Sequence, residues 1–235
     1  MKQRYDIAIS INVHHKPMFL LEQLSNIKKY VKLSHVVILN CNHKMGIELQ
    51  QFDLGPDVVV NTEYIDKKRF HGSLLQGIVS NMKLALQNYI FDYFVIMSLR
   101  CRFYREINHS FDVDVQSEVV NQRKHYDYDL RSWHWPKMAH SLLYKECVTR
   151  NWSVCTSAHE GLCFDYKSCE FLLSFLESNT SITTDLFNFN SCVEEFALQS
   201  ICSNFFDFFD LGNGCGTKPL HQCSATRFIH KIDDP

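Results

Sequence analysis

The sequence predicts an α/β protein in which a central, mostly parallel sheet is flanked by helices. Three observations predict this fold. In residues 1–100, short apolar strands alternate with segments of helical periodicity, as they do in βαβ units. The second strand is apolar at every position, which is typical of a parallel strand buried on both faces. The chain has 235 residues without an internal repeat or a linker, so we expect one domain, 1–235, with a regular half, 1–100, and a less regular half, 101–235.

The first βαβ unit is predicted over residues 6–39. Isoleucine and valine alternate with small or polar residues over 6–13, which is the period of a strand. Pro17 suits a first helical turn. Residues 36–39 are all apolar and form the second predicted strand. Between Pro17 and that strand, the apolar residues that recur at helical spacing are Leu20, Leu24, Ile27 and Val31.

The remaining elements are predicted from the same two periodicities. They are sparser in the second half, because charged and aromatic residues interrupt the apolar pattern over 108–140. Strands are predicted over 58–60, over 93–98 and within 155–165, and helices over 73–89, 168–176 and 193–206.

Charge and hydropathy exclude several classes of protein. The 24 basic and 26 acidic residues give a net charge of −2, so there is no broad basic field that would attract nucleic acid. The longest apolar stretch, 89–97, is interrupted by Asp92 and is far shorter than the roughly 20 residues of a membrane-spanning helix. Residues 1–20 have no secretory signal pattern. We therefore expect no membrane span and a cytoplasmic location.

The chain contains ten cysteines but no CxxC pair, so the usual zinc-ribbon and thioredoxin spacings are absent. Disulfide frameworks are typical of small secreted chains, whereas this chain is long and has no export signal. We expect most or all of the cysteines to be reduced thiols, buried as small apolar side chains.

Two asparagines follow predicted strands at the end where α/β sheets bind ligands. Asn12 lies near the end of the first strand and Asn42 just past the second. An amide at such a position can bond the polar edge of a base or a ribose hydroxyl. Asparagine also caps turns, and the sequence leaves both interpretations open.

A pair of glutamates, Glu194 and Glu195, opens the predicted helix 193–206. Ser191 and Glu194 fit the capping-box pattern, in which the glutamate reaches back to the first residue of the box. That pattern does not explain Glu195. It is either a solvated acid in the first turn or, if burial raises its pKa, a general base.

Two further patterns carry charge that a ligand could use. Asp112 and Asp114 form a DxD pattern, which on a strand end can hold a divalent ion against a diphosphate. DxD also arises by chance. Near the carboxyl terminus, Lys231 places a cation among apolar residues, where it is either a surface lysine or a ligand contact.

Read in order, several segments resemble one family, the core-2/I-branching β-1,6-N-acetylglucosaminyltransferases of glycosyltransferase family 14, which also contains the peptide O-xylosyltransferases. The order of the matches across nearly the whole chain matters more than any single short segment. The matching segments are IAISINVHHK at 7–16, LNCNHK at 39–44, FHGS at 70–73 with YFVIMS at 93–98, VEEFALQSI at 193–201 and FIHKID at 228–233.

The resemblance implies a GT-A-like, Rossmann-like fold and an inverting, metal-independent enzyme without a cofactor. Such an enzyme transfers a sugar, GlcNAc or xylose, from a UDP-sugar to a hydroxyl of an oligosaccharide or glycoprotein and forms a β-linkage. Residues 1–100 would bind the nucleotide sugar, and residues 101–235 would form the half that binds the acceptor and contains the catalytic base. Glu195 matches the catalytic base, Lys231 a basic residue that balances the diphosphate, and Asn12 and Asn42 positions that line the uridine.

The chain departs from the family pattern after the central strand. Residues 99–104 replace a segment that contains an aspartate, and they introduce two arginines. A second basic residue at the diphosphate is not evident, although Lys218 or Arg227 could substitute. Two alternatives therefore stay open: a Mn²⁺-dependent GT-A enzyme that uses Asp112 and Asp114, and a catalytically degenerate relative that binds a glycan.

Overall fold

The computed structural model of the protein describes residues 2–14, 17–108, 113–114, 121–123, 135–152, 154–156, 159–209, 221–223 and 226–228. The strands are β1 Gln3–Asn12, β2 His35–Asn40, β3 Val58–Val60, β4 Tyr89–Ser98, β5 Cys101–Phe103, β6 Val113–Asp114, β7 Asn121–Arg123, β8 Val154–Thr156, β9 Leu162–Asp165, β10 His221–Cys223 and β11 Thr226–Phe228. The helices are α1 Pro17–Tyr30, α2 His43–Leu49, α3 Ser73–Asn88, α4 Trp135–Met138, α5 Leu142–Thr149, α6 Tyr166–Ser178, α7 Thr180–Asn188 and α8 Ala197–Phe209, and a 3₁₀ turn spans Val193–Glu195.

A seven-stranded sheet in the order β3-β2-β1-β4-β9-β10-β6 forms the centre of the protein. The first four strands in that order are mutually parallel, and β9, β10 and β6 extend the sheet by antiparallel pairing. Two small two-stranded sheets, β5 with β11 and β7 with β8, accompany it. The predicted α/β class with a mostly parallel sheet flanked by helices is confirmed.

The order of the strands reverses at β1. From β1 the chain passes through α1 to β2 and through α2 to β3, and then returns across the sheet through α3 to β4 on the other side of β1. Asn12 and Ser98, the last residues of β1 and β4, are partners in the register. Ligands of open α/β sheets bind outside the carboxyl ends of the strands at such a reversal, so the topology indicates the ends of β1 and β4 as the place for a ligand site.

Helices cover both faces of the sheet. Successive residues of β1 point to opposite sides, and those on each side are buried under helices. Ile7, Ile9 and Ile11 pack with Leu20 of α1 and Leu49 of α2 in one buried cluster. On the other face, Ala8 belongs to a cluster with residues of α3, α6 and α8. No helix among the described residues is long and apolar enough to cross a membrane.

The strands and helices of the first half lie close to their predicted positions, with shifts at the starts of two strands. β1 begins at Gln3 rather than at residue 6. β4 begins at Tyr89 rather than at residue 93, and α3 ends at Asn88. The reason is that Tyr89 pairs with Gln3, so the parallel ladder extends to the very start of β1. Helices α2, α4, α5 and α7 were not predicted.

The predicted helix 193–206 is wrong at its start. Residues 193–195 form a 3₁₀ turn, and α8 runs from Ala197 to Phe209. The predicted capping box is also wrong, because the turn has Cys192 at its N-cap and no side-chain capping bond. Glu194 is instead buried against the core, with a relative exposure of 1%.

Candidate functional site

The candidate site lies at the carboxyl edge, by which we mean the carboxyl ends of β1, β2, β3 and β4 with the loops that follow them. The turn 159–161 also reaches this edge, because the Gly161 amide donates to the carbonyl of Ile96 near the end of β4, at 2.7 Å. Two groups of side chains occupy the edge: amides with a lysine at β1–β3, and carboxyl groups near β4.

Asn12 anchors α3 to the end of β1. Its side chain is 7% exposed, and its Nδ2 donates to the carbonyl of Leu74 at 2.8 Å. Its Oδ1 is buried and has no hydrogen-bond partner within the described structure. A Cβ on Gly77 would lie only 2.2 Å from that oxygen, so the glycine leaves the space that the Asn12 side chain occupies against α3. Contact of Asn12 with uridine stays a prediction.

Asn42 is the N-cap of α2. Its Oδ1 accepts a hydrogen bond from the Met45 amide at 2.8 Å, which satisfies one of the unpaired donors of the helix start. The capping interpretation is therefore confirmed for Asn42. Its expected contact with the uridine is compatible with this role but untested.

A buried polar network that the sequence did not predict links α3 to the strand ends. Asn81 is fully buried and donates to Ser10 Oγ at 3.0 Å and to the Ile38 carbonyl at 2.9 Å. Asn61 donates to Ser80 Oγ at 2.8 Å, and Ser80 Oγ donates to Glu63 Oε2 at 2.6 Å. Satisfied polar networks of this kind fix one arrangement of the elements they join.

Lys67 is a further residue at this edge that the sequence did not predict. It lies in the loop between β3 and α3, and its Nζ donates to Asn40 Oδ1 and to the carbonyl of Ile65, the latter at 3.1 Å. Burial lowers the pKa of Lys67 to about 8, although Cys41 and Asp66 act in the opposite direction. The available sequence signal was the basic run over 67–69, between the predicted strand 58–60 and the predicted helix 73–89.

Glu195 is partly buried in the 3₁₀ turn, which contacts α3. Burial, together with the charge of the nearby Glu160, raises the pKa of Glu195 from its ordinary value to about 7. Glu160 itself is on the turn at the end of β4, with its Oε1 3.4 Å from His159 Nε2. The condition set for Glu195 as a general base, a pKa raised by burial, is met.

Glu194 is the more deeply buried of the two glutamates. Burial in the first place, with the charges of Glu195 and Glu160, raises its pKa to about 8. Its Oε2 has no hydrogen-bond partner in the described part of the protein. Burial also raises the pKa of the neighbouring Cys192 thiol. At neutral pH, Glu194 is therefore a carboxylic acid rather than a carboxylate.

Several predicted site residues lie outside the described residues. Lys231, Asp112 and Lys218 are among them, and Asp114 is described only through the pairing of its backbone with Gln222. Within the described ranges, no group of three or more His, Cys, Asp or Glu side chains could hold a metal ion. The roles of Lys231 and of the DxD pattern stay predictions.

Arg102, in the segment that departs from the family pattern, holds β5 against α1. Its Nη1 donates to Gln23 Oε1 and to the Leu99 carbonyl, the latter at 2.5 Å. Its Nη2 is 3.7 Å from Glu22 Oε2. This arginine thus has a structural role on the α1 face of the sheet.

The side chains of eight of the ten cysteines are described, and all eight are buried thiols outside disulfides. The predicted burial of the cysteines as small apolar side chains is confirmed for these eight, and their reduced state in the cell stays a prediction. Burial raises the pKa of Cys147 to about 12, so this thiol is protonated and unreactive at neutral pH.

A cleft of about 440 Å³ lies between α3, α6 and α7. Apolar side chains line it together with hydroxyl, amide and carboxylate groups. The residues that line it include Glu63, Gln76, Thr180, Thr183, Thr184 and Phe187.

A scan of the chain against protein-family models finds no match, and a search of curated proteins finds no similar sequence. The resemblance to glycosyltransferase family 14 therefore rests on the short sequence motifs and their order.

Proposed function

We propose that this protein is an inverting, metal-independent glycosyltransferase with a GT-A-like fold. It transfers a sugar, GlcNAc or xylose, from a UDP-sugar to a hydroxyl group of a glycan and forms a β-linkage. The proposal combines the motif order of the sequence with the chemistry of the carboxyl edge. UDP-sugar is the donor, and an oligosaccharide or glycoprotein is the acceptor.

One observation carries the proposal: Glu195 is a half-buried carboxyl group at the carboxyl edge, with a pKa of about 7. A general base is most effective when its pKa is close to the working pH. In the first turn of an exposed helix, Glu195 would be a weak base. Burial against α3 and the proximity of Glu160 remove that weakness.

In the proposed reaction, Glu195 takes the proton of the acceptor hydroxyl while the oxygen attacks the anomeric carbon. The bond to the UDP oxygen breaks on the opposite face, which inverts the configuration. An in-line displacement of this kind needs positive charge at the leaving diphosphate. Lys231 is the residue that the resemblance assigns to that charge.

The test compares the wild type with Glu195→Gln in a UDP-release assay with UDP-GlcNAc or UDP-xylose, a panel of acceptor glycans and excess EDTA. We expect transfer by the wild type and its loss in Glu195→Gln, with UDP binding retained. Glu170→Gln, which removes an exposed carboxylate of α6, is the matched control and should keep full activity. Full transfer by Glu195→Gln would refute the assignment of the base.

The pH profile gives an independent readout of the same residue. Glu195 must be ionised to accept a proton, and its pKa is about 7. The rate of transfer should therefore rise between pH 6 and pH 8 and level off above. A rate that is flat across this range would contradict the role of Glu195 as the base.

The requirement for metal separates the two enzymatic alternatives. Activity that EDTA abolishes and Mn²⁺ restores would assign catalysis to Asp112 and Asp114 instead. Activity that persists in EDTA supports the metal-independent reaction.

Glycan binding without catalysis is the second candidate function, and the cleft between α3, α6 and α7 favours it. Thr180, Thr183 and Thr184 offer hydroxyl groups, Glu63 offers a carboxylate and Phe187 offers an aromatic surface, which together suit a sugar with polar hydroxyls and an apolar face. A wild type that binds glycans but neither binds UDP nor releases it from any donor would favour this candidate.

A further inference from the structure

We propose that Lys67 is a ligand-binding residue that receives the anionic group of a phosphorylated ligand at the carboxyl edge. The identification of that group with the diphosphate of a UDP-sugar rests on the proposed function. The anion site itself is inferred from the position, burial and hydrogen bonds of Lys67.

The position of Lys67 is set by β2 and by its own loop. Its ammonium donates to the side chain of Asn40, the last residue of β2, and to the carbonyl of Ile65 at 3.1 Å. β2 is the neighbour of β1, so the ammonium lies one strand from the reversal of strand order. Its Cε would lie 2.9 Å from a Cβ on Gly77, and the same Cβ would lie 2.2 Å from Asn12 Oδ1, which places the lysine stem beside Asn12.

Lys67 forms no ion pair with the described part of the chain, and Asp66 on the same loop favours its charged form only from beyond ion-pair distance. Both of its hydrogen-bond acceptors are neutral oxygens, and no described carboxylate lies within ion-pair distance. Burial of a cation is unfavourable unless a counter-charge accompanies it, and desolvation lowers the pKa of Lys67 accordingly. An ammonium has three donors, and one of the three has no partner among the described residues.

A purely structural role does not account for a lysine at this position. An uncharged donor could hold Asn40 and Ile65 together without burying a positive charge. The loop has a net positive charge, since Lys68 and Arg69 follow Lys67 directly and are exposed, whereas Asp66 is the one acidic residue over 66–69. An anionic ligand would supply a counter-charge in direct contact with the ammonium and accept the remaining hydrogen bond. Phosphate oxygens are strong acceptors of such charge-assisted bonds.

The test measures the affinity of UDP, uridine and inorganic pyrophosphate for the wild type, for Lys67→Met and for Lys68→Met by calorimetric titration. Lys67→Met keeps the apolar stem and removes the charge. Loss of a charge-assisted hydrogen bond typically lowers affinity by about 10- to 100-fold. We expect that loss for UDP and pyrophosphate in Lys67→Met, with uridine unchanged. Lys68→Met, the exposed control on the same loop, should change each affinity less than about threefold.

The pH dependence of UDP binding separates ligand binding by Lys67 from a purely structural role of this residue. Affinity for UDP should fall in the wild type as the pH rises through about 8, where Lys67 loses its proton, and this fall should be absent in Lys67→Met. The other titratable groups that act on Lys67 are Asp66 on its own loop and Cys41 at the end of β2. Burial raises the pKa of the Cys41 thiol, so this group stays neutral to a higher pH than an exposed thiol does.

A measurement on the wild type avoids dependence on the folding of the variant. Pyrophosphate should slow the acetylation of Lys67 by acetic anhydride, followed by mass spectrometry, while Lys68 continues to react. Unchanged acetylation of Lys67 with saturating pyrophosphate, or unchanged pyrophosphate and UDP affinity in a folded Lys67→Met variant, would overturn the proposal.

Failure of this proposal can be distinguished from failure of the proposed function. Pyrophosphate binding that depends on Lys67, with neither UDP nor uridine bound more tightly, would support the anion site and contradict the UDP-sugar donor. UDP binding that is independent of Lys67 would support the donor and contradict the anion site.

Discussion

Replacing Glu194 with glutamine tests whether burial really holds this side chain in its protonated form. Glu194 is 1% exposed, and its pKa is raised from 4.5 to about 8, mainly by desolvation. The folded protein therefore keeps the proton up to a pH of about 8, whereas the unfolded chain releases it near 4.5. Glutamine has nearly the same shape but does not titrate.

The sign and size of the effect follow from the protons bound in each state. Between the two pKa values the folded state binds more protons, so the free energy of unfolding of the wild type falls as the pH rises, by about 1.4 kcal/mol per pH unit for a full proton. From pH 6 to pH 8 the contribution of Glu194 should fall by about 2 kcal/mol. Glu194→Gln lacks this loss, so its stability relative to the wild type should rise by the same amount.

Urea denaturation of both proteins at pH values from 5 to 9 measures this difference. Glu195 titrates in both proteins, so comparison of the two curves isolates Glu194. Glu170→Gln, on the exposed face of α6, controls for loss of one carboxylate and should give a curve parallel to the wild type. If Glu194→Gln also remains parallel to the wild type from pH 6 to pH 8, the inferred protonation of Glu194 is refuted.

Three further predictions concern the fold around the site. Gly72→Ala would place a Cβ 1.8 Å from the carbonyl oxygen of Leu186, so α3 and α7 must separate, and thermal denaturation should show a loss of stability of about 1–3 kcal/mol; an unchanged melting temperature would contradict this close approach. Asn42→Ala removes the acceptor of the Met45 amide and should lower the free energy of urea unfolding by about 1 kcal/mol, whereas Asn42→Ser should retain most of it. Ellman's reagent should label at most two of the ten cysteines before unfolding, because eight are buried, and rapid labelling of more than two in the native protein would show that the described thiols are accessible.

The elements that the sequence predicted well are those whose signal is local. The alternating strand at 6–13 and the apolar strand at 36–39 correspond to β1 and β2, and the helical stripe after Pro17 corresponds to α1. In each of these segments, the spacing of the apolar residues shows which side is buried, so a short stretch of sequence is enough to identify a strand or a helix. The position of α2 was missed because its seven residues are too few to show a helical period clearly.

The start of β4 illustrates a signal that was present but ambiguous. Tyr89 fits the apolar side of the preceding helix and also the following strand. Its pairing with Gln3, more than eighty residues away, decides the matter. Local propensity cannot resolve such a boundary, because the deciding hydrogen bonds belong to another segment of the chain.

The candidate site was predictable in its residues more than in their states. The position of Glu195 came from a motif, but its pKa depends on burial and on Glu160, which the antiparallel pairing of β9 with β4 brings to the edge. Glu194 was interpreted as a capping residue from its spacing. The 3₁₀ turn buries it instead, since packing against the core overrides the local pattern.

By itself, the sequence determined the α/β class, the order of the first strands and helices, the absence of a long apolar span and the motifs on which the proposed function depends. These properties follow from composition and from periodicities of two and 3.6 residues. The tertiary structure alone decided that strand order reverses at β1, that Lys67 reaches Asn40, 27 residues away, and that Glu194 and Glu195 are desolvated. The physical reason is that solvation and charge at a site are set by neighbours distant in the chain, and only the folded arrangement brings those neighbours together.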